Sequence, residues 1–421
     1  MSKPILQAGL LGLLSFISVN LLAATDFSGY IELEGHFYPQ DGITEEQENA
    51  LYSVAVEPEF KWESESETQS FRFKAFGRYS DPDGNRDHGD IREMYYTYAG
   101  SGWQVEAGID KVFWGVTESL HLVDIINQTD NVESITGEEK LGQPMLALGL
   151  EQTWGNLDIY VLPLFRERKF PQGPERFILA VPTTSGVIIP DIDESATAYE
   201  SDDEEQHVDY AIRWFKSFGS MDLALSYFDG TNRDPLPLVT AVSPTIVVSS
   251  YYEQISQTGL ALQYLHEDWA WKLEAIHRRA NTGNYSAAVA GFEYTLSDLE
   301  PWGQDIGILV EYLWNDREDF TFAEGLVPLP VKGDQLSPFE DEVFLGARFS
   351  LNDVNSTEFL AGIIVDSSDG TTTASFEGSR RIGDNIRITL NMYIYTNVDE
   401  ESALYAYEKD DQIEAKIAWY F

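Results

Sequence analysis

The sequence has no cysteine, which removes disulfide frameworks and thiolate chemistry. Bases are scarce, with 27 Lys and Arg against 71 Asp and Glu and a formal net charge of -44. A chain this acidic repels phosphate backbones, so nucleic acid is excluded as a partner. Six histidines, at positions 36, 88, 121, 207, 266 and 277, form no HExxH, and there is no GxSxG elbow. An enzyme is therefore not expected; a hydrolase would have to build on His207 near Asp209 or His121 near Asp124. Beyond residue 24 nothing approaches the roughly 18 to 20 apolar residues of a membrane helix. Disorder does not fit either, because 13% of residues are aromatic.

What is present begins with MSKPILQAGLLGLLSFISVNLLAA, in which Lys3 precedes an apolar stretch and small residues follow. This predicts a signal peptide over residues 1–24, cleaved near Ala24, and an exported mature chain over 25–421. Without a helical span, such a chain is either soluble or a transmembrane barrel.

Strand patterns decide between them. In DNIRITLNMYIY, Ile386, Ile388, Leu390, Met392 and Ile394 alternate with Arg387, Thr389, Asn391, Tyr393 and Tyr395. In SFRFKAFGRY, Phe71, Phe73, Ala75 and Tyr79 oppose Arg72, Lys74, Phe76 and Arg78. The chain ends on IEAKIAWYF, with Ile413, Ala415, Ile417, Trp419 and Phe421 on one face. Period two is a strand. A continuous apolar face with aromatic ends, opposite a face carrying full charges, fits a strand between lipid and lumen better than a sandwich strand. About eighteen such segments run from 27–38 to 411–421, with sixteen as the alternative count. Short connections such as AGSG and RIGD interleave with longer acidic ones. The expectation is an all-β, antiparallel, up-and-down transmembrane β-barrel with both termini periplasmic, its last strand closing on the first.

The signal peptide together with the terminal WYF resembles Gram-negative outer-membrane porins, whose last strand with a terminal Phe is read by the barrel-assembly machinery. The stretch REMYYTYAGSGWQVEAGIDKVFWG, then DIINQTD, is similar to a pattern in uncharacterised proteobacterial porins. It matches no porin family of known substrate, so no binding residues carry over. The resemblance implies a passive channel for small hydrophilic solutes or ions in the outer membrane of a Gram-negative bacterium. Its surroundings would be membrane lipid and lipopolysaccharide. A homotrimer through the small-residue run SAAVAGF, Ser286 to Phe292, stays open. A closed barrel acting as a surface adhesin is the alternative, and an outer-membrane hydrolase a further one.

General porins fold their third outer loop into the lumen. The third outer loop here is 114–142, and folded inward it would bring Glu118, Asp124, Asp130 and Glu133 to a constriction. Leu120, Val123 and Ile126 are spaced as the apolar side of a short helix. Strand phase turns Lys61, Arg72, Lys74, Arg78, Arg387 and Lys416 inward, where they either form a basic wall facing that loop or pair with inward acids such as Glu34, Glu93, Glu274, Glu311 and Glu414. The charge excess falls in the outer loops, above all Asp191 to Glu205. No resident cofactor is expected. Weak Ca²⁺ or Mg²⁺ binding at those loops competes with a plain solvated surface, since DxDxDG spacing is absent. They also imply a mild cation preference. Trp62, Trp103, Trp269, Trp419 and Phe421 are placed for a periplasmic girdle. The basic, aromatic FRERKFPQGPERF, Phe165 to Phe177, either enters the pore, caps the mouth or binds acidic neighbour loops.

Overall fold

The computed structural model describes residues 24–421, except 83–85, 135, 173–174, 180, 184–185, 242–245, 302, 318–326, 328–338 and 400–401. The signal-peptide expectation, Ala24 apart, lies outside the described residues, as does most of 316–340. The strands are β1 (Ala24–Phe37), β2 (Ala50–Glu63), β3 (Gln69–Asp81), β4 (His88–Gly100), β5 (Trp103–Asp110), β6 (Gln143–Gln152), β7 (Gly155–Leu162), β8 (Val181–Thr183), β9 (Gly186–Ile188), β10 (Asp191–Ile192), β11 (Ala198–Tyr199), β12 (Asp209–Phe218), β13 (Met221–Thr231), β14 (Leu236–Ala241), β15 (Val247–Tyr252) and β16 (Gln254–His266). They continue with β17 (Trp269–Ala280), β18 (Asn284–Leu299), β19 (Gln304–Asn315), β20 (Asp341–Ser350), β21 (Glu358–Asp366), β22 (Thr372–Ile382), β23 (Ile386–Thr396) and β24 (Gln412–Tyr420).

Eighteen of these make one closed antiparallel sheet: β1 to β7, then β12, β13 and β16 to β24. Each predicted segment corresponds to one barrel strand. The barrel closes where β24 pairs with β1, from Tyr30 opposite Tyr420 to Phe37 opposite Ile413. Beyond that ladder, Gly29 and Phe421 exchange backbone hydrogen bonds of 3.1 and 3.0 Å. Glycine is required at the seam: a Cβ on Gly29 would lie 2.4 Å from the Glu57 carbonyl oxygen and 2.9 Å from the Phe421 ring. Closure leaves no open edge, which is why the final strand is ordered to its end.

The burial pattern inverts that of a soluble protein. On β1, Ile31 and Leu33 are exposed, while Glu34 and His36 are buried. On β24, Ile417 and Trp419 are exposed and Glu414 is buried. Apolar outside and charged inside is the arrangement of a membrane barrel. Eight short connections, such as 101–102 and 383–385, lie at one end with the two termini; the long segments 111–142, 163–208 and 232–253 lie at the other.

Six strands were not anticipated. At the long-loop end, β10 and β11 run parallel to β15, and β14 runs antiparallel to it. β8 and β9 form a separate hairpin. Inside the barrel, Trp114, Val123, Ile125 and Ile126 of segment 111–142 pack on Tyr160, Ala211, Phe228 and Ile276 of the wall. This dry contact fills the lumen on the side of β6, β7, β12, β13, β16 and β17.

Candidate functional site

Segment 111–142 leaves β5 and crosses to the opposite wall, where two inward carboxylates hold its turn. Glu274 on β17 accepts from Val116 N (2.7 Å), Thr117 N (3.1 Å), Thr117 Oγ1 (2.8 Å) and Val123 N (3.2 Å). Glu311 on β19 accepts from Glu118 N (2.8 Å), Ser119 N (2.8 Å) and Ser119 Oγ (2.6 Å). The short helix expected from Leu120, Val123 and Ile126 does not form, because these N–H groups serve wall carboxylates rather than carbonyls four residues back. The apolar spacing is nevertheless used: Val123 and Ile126 are buried, and Leu120 packs on Val289, Leu309, Leu313 and Phe344.

The four acids named from the loop part company. Glu118 reaches Arg348 at 2.7 Å and Lys272 at 4.0 Å. Asp124 is tucked under the loop, accepts from Trp114 N at 3.2 Å and lies 3.5 Å from Lys140. Burial pushes its carboxyl up, with Lys140 opposing. Asp130 and Glu133 anchor the loop to the near wall. Asp130 lies 2.8 Å from Arg92 and 3.7 Å from His88, and Glu133 takes Arg78 Nε at 2.9 Å. Burial raises the Asp130 carboxyl, but the neighbouring His88 and the Arg92 charge outweigh it and hold it at about 2. Asp130 and Glu133 are thus buried loop anchors and do not face an open channel as free charges.

A β-bulge makes this anchor. The β3–β4 register shifts after Lys74, so Lys74 faces Glu93 and Ala75 faces Ile91. Arg92 and Glu93 are both buried: Arg92 serves Asp130, and Glu93 serves Arg72 (2.9 Å) and Lys74 (3.0 Å). Strict alternation would have turned one of them to the outside.

The inward bases do not form a free basic wall. Arg72 pairs with Glu59 (2.6 Å), Lys61 with Glu59 (3.1 Å) and Arg78 with Glu34 (3.0 Å). Lys416 sits 2.9 Å from Glu414 and 3.6 Å from Glu34. Arg387 is exposed near the short-turn end. Oppositely charged residues at the same depth of a low-dielectric lumen take each other as partners.

The other side of the lumen holds a polar cavity of about 210 Å³. Its floor is Ser134, Thr136, Glu138 and Glu139 of the inner segment, and its wall is Glu377, Asn391, Tyr393, Glu414 and Lys416 of β22 to β24. Among the described residues, neither Glu138 nor Glu377 has a basic nitrogen within 4.0 Å. Sequence reasoning missed both. Glu377 follows from strand phase on β22 and could have been found that way; Glu138 sits in a run of two acids with nothing to single it out.

The basic segment 165–177 turned out to bind acidic neighbours over the mouth. Arg166 pairs with Asp90 (2.9 Å), Arg168 with Asp234 (2.8 Å) and the fully buried Arg176 with Asp410 (3.0 Å). Pro171, Glu175, Arg176 and Phe177 line the cavity from above.

Glu34, His36 and Glu414 bring ligand atoms within 4.8 Å of one another, as a metal site would. Arg86 (2.7 Å), Arg78 (3.0 Å) and Lys416 already occupy those carboxylates, so a divalent ion would have to displace three cations. In the acidic outer loop, Asp193 caps Ser195 N (3.0 Å) and Glu200 accepts from Gln254 N (2.8 Å). His207 meets Asp209 at 2.9 Å, but Thr231 N (2.9 Å) and Arg233 (2.6 Å) share that carboxylate, which marks a structural corner.

Trp62, Trp103, Trp269, Trp419 and Phe421 all fall at the short-turn ends of their strands. The Trp419 ring lies tilted 5.5 Å from Phe421, and Trp269 stacks on Trp271 (5.6 Å) with Tyr294 tilted against it (4.6 Å). On β18, Ala287 and Val289 are buried, which turns Ser286, Ala288, Ala290 and Phe292 outward.

No protein-family model matches the chain, and no curated protein does. Among solved structures, Pseudomonas aeruginosa OpdQ is similar at 11% identity and a TM-score of 0.50, over 95% of this chain and 97% of that one. A triple mutant of Rhodopseudomonas blastica porin shares 12% identity at a TM-score of 0.43, over 94% of this chain and all of that one. What the chain has in common with OpdQ is its fold; its own barrel is closed, antiparallel and built of eighteen strands.

Proposed function

We propose that the protein is a passive outer-membrane channel for small hydrophilic solutes, with a preference for cations. One observation carries the reading: the inner segment packs against one side of the lumen and leaves a polar cavity along β22 to β24 and β1, where among the described residues no basic nitrogen lies within 4.0 Å of Glu138 or Glu377. Unpaired carboxylates at a narrow, partly desolvated passage concentrate cations and repel anions. The exposed apolar strand faces support placement in lipid, with the aromatic ring residues at the short-turn end on the periplasmic side. On this reading residues 1–24 are the export signal, the terminal strand is the assembly signal, and the outer loops meet lipopolysaccharide. A trimer would use the outward small residues of β18. No catalysis and no resident cofactor are assigned.

The test is single-channel recording of the refolded mature protein under a KCl gradient. Open steps with a cation-selective reversal potential, shifted towards zero by Glu138→Gln with Glu377→Gln, support the proposal. A folded barrel that stays silent rejects it. That outcome would favour a second reading, a filled barrel acting through its surface loops, which Pro171, Glu175, Arg176 and Phe177 over the cavity favour.

A further inference from the structure

The strongest unexplained feature is a fully buried guanidinium at the barrel mouth. Arg176 belongs to the segment joining β7 to β12, yet its partners lie on other loops. It donates to Asp410 Oδ1 (3.0 Å), Gln40 O (2.7 Å), Asn49 Oδ1 (2.7 Å) and Glu48 O (3.2 Å), and stacks 4.7 Å from the Tyr38 ring centre. The second oxygen of Asp410 accepts from Phe177 N at 3.0 Å, and the Phe177 ring sits 5.5 Å from Tyr407. The same segment is tied at its start by Arg166 to Asp90 and by Arg168 to Asp234.

These contacts are dispensable to the barrel. β24 pairs with β1 and β23 through complete ladders, and β1 with β2. What the Arg176 cluster does is hold Glu175, Arg176 and Phe177 as a roof over the cavity whose floor is Ser134 and Thr136. Asp410 neutralises the buried charge and accepts from the Phe177 backbone, while the other bonds of Arg176 and the Gln47 Nε2 donation to Glu175 O (2.9 Å) are uncharged-partner contacts. Removing one partner of such a pair leaves a buried charge unpaired, and a loop at the barrel mouth escapes that cost by moving into water.

We propose that residues 175–177 are a lid and that the Arg176–Asp410 pair is its latch, setting how readily solutes at the long-loop end reach the cavity. The closed position described here is the latched state. Opening requires Arg176 to withdraw from Asp410 into water, with no rearrangement of the barrel ladders. The proposal rests on the channel reading for its consequence, but access to the cavity is measurable without conduction.

The experiment uses the absence of native cysteine. Ser134→Cys places a single thiol on the cavity floor, and its labelling by a charged, water-soluble thiol reagent is timed from the long-loop side of the reconstituted barrel. Arg176→Ala and Asp410→Asn are each expected to speed labelling by about tenfold or more, the scale of one charge-assisted hydrogen bond. Bridging Phe177→Cys to Tyr407→Cys with a short dithiol-reactive crosslinker, with the cysteine-free parent treated alike as control, is expected to slow entry of a small charged reagent. Should Arg176→Ala prevent folding, Asp410→Asn keeps the carboxamide shape and carries the test. Unchanged labelling in folded Asp410→Asn overturns the lid. Faster labelling in a barrel that never conducts upholds the lid and rejects the channel.

Discussion

Glu274 and Thr117 are joined twice, with one carboxylate oxygen accepting from both the Thr117 backbone N–H (3.1 Å) and its hydroxyl (2.8 Å). Glu274 belongs to β17 and Thr117 to the segment after β5, so this contact reaches across the lumen. It fixes which side of the barrel is filled and which is left open.

Replacing that carboxylate therefore tests the position of the inner segment. Glu274→Gln leaves one acceptor oxygen for donors that now use two, and its amide faces N–H groups. The expected loss is about 1–3 kcal/mol of stability, as for a buried donor left unsatisfied. Urea unfolding of the refolded barrel measures it, and open-channel current noise should rise together with the loss.

Asp130 gives the pH dependence. Its carboxyl is held at about 2 by His88 and Arg92 against the pull of burial. An unfolded aspartate titrates near 3.9, so the folded state binds the proton more weakly. Its stabilisation is complete above about pH 4 and disappears as pH falls through about 2, on the order of 2 kcal/mol in all. Stability measured from pH 5 to pH 2 should fall over that window, and Asp130→Asn should be less stable at pH 7 and flatter across it.

The anchoring role also predicts a difference between acids. Neutralising Asp130 should lower stability while moving the reversal potential little, because Arg92 already compensates its charge. Neutralising Glu138 and Glu377 should do the reverse, since among the described residues neither has a basic nitrogen within 4.0 Å to strand. Reversal potentials and urea midpoints on these three variants separate the two effects.

These contrasts trace what the sequence makes legible. All eighteen barrel strands could be read, because their outer face is apolar and their inner face polar and charged, so alternation is clear along most of each strand. Ile386 to Tyr395 needs no neighbour to be recognised. Where alternation breaks, as at Arg92 and Glu93, local pattern fails, since a bulge is decided by pairing with β3. The outer strands β14 and β15 were missed for a related reason: they pair over the mouth through loops, with no lipid face to mark them. In the lumen, strand phase places Arg72, Arg78 and Lys416 on the inner face but cannot tell which acid each meets. Asp130 and Glu133 looked like channel charges until Arg78 and Arg92 were found against them.

The central claim is that the lumen is open along β22 to β24 and closed along β12 to β17. The most direct measurement is modification of single cysteines by a small charged thiol reagent during single-channel recording. Asn391→Cys lines the cavity, and Ala211→Cys lies under the packed inner segment. The account predicts that the reagent steps down the current through Asn391→Cys and leaves Ala211→Cys unmodified. Rapid block at Ala211→Cys with no effect at Asn391→Cys would contradict it.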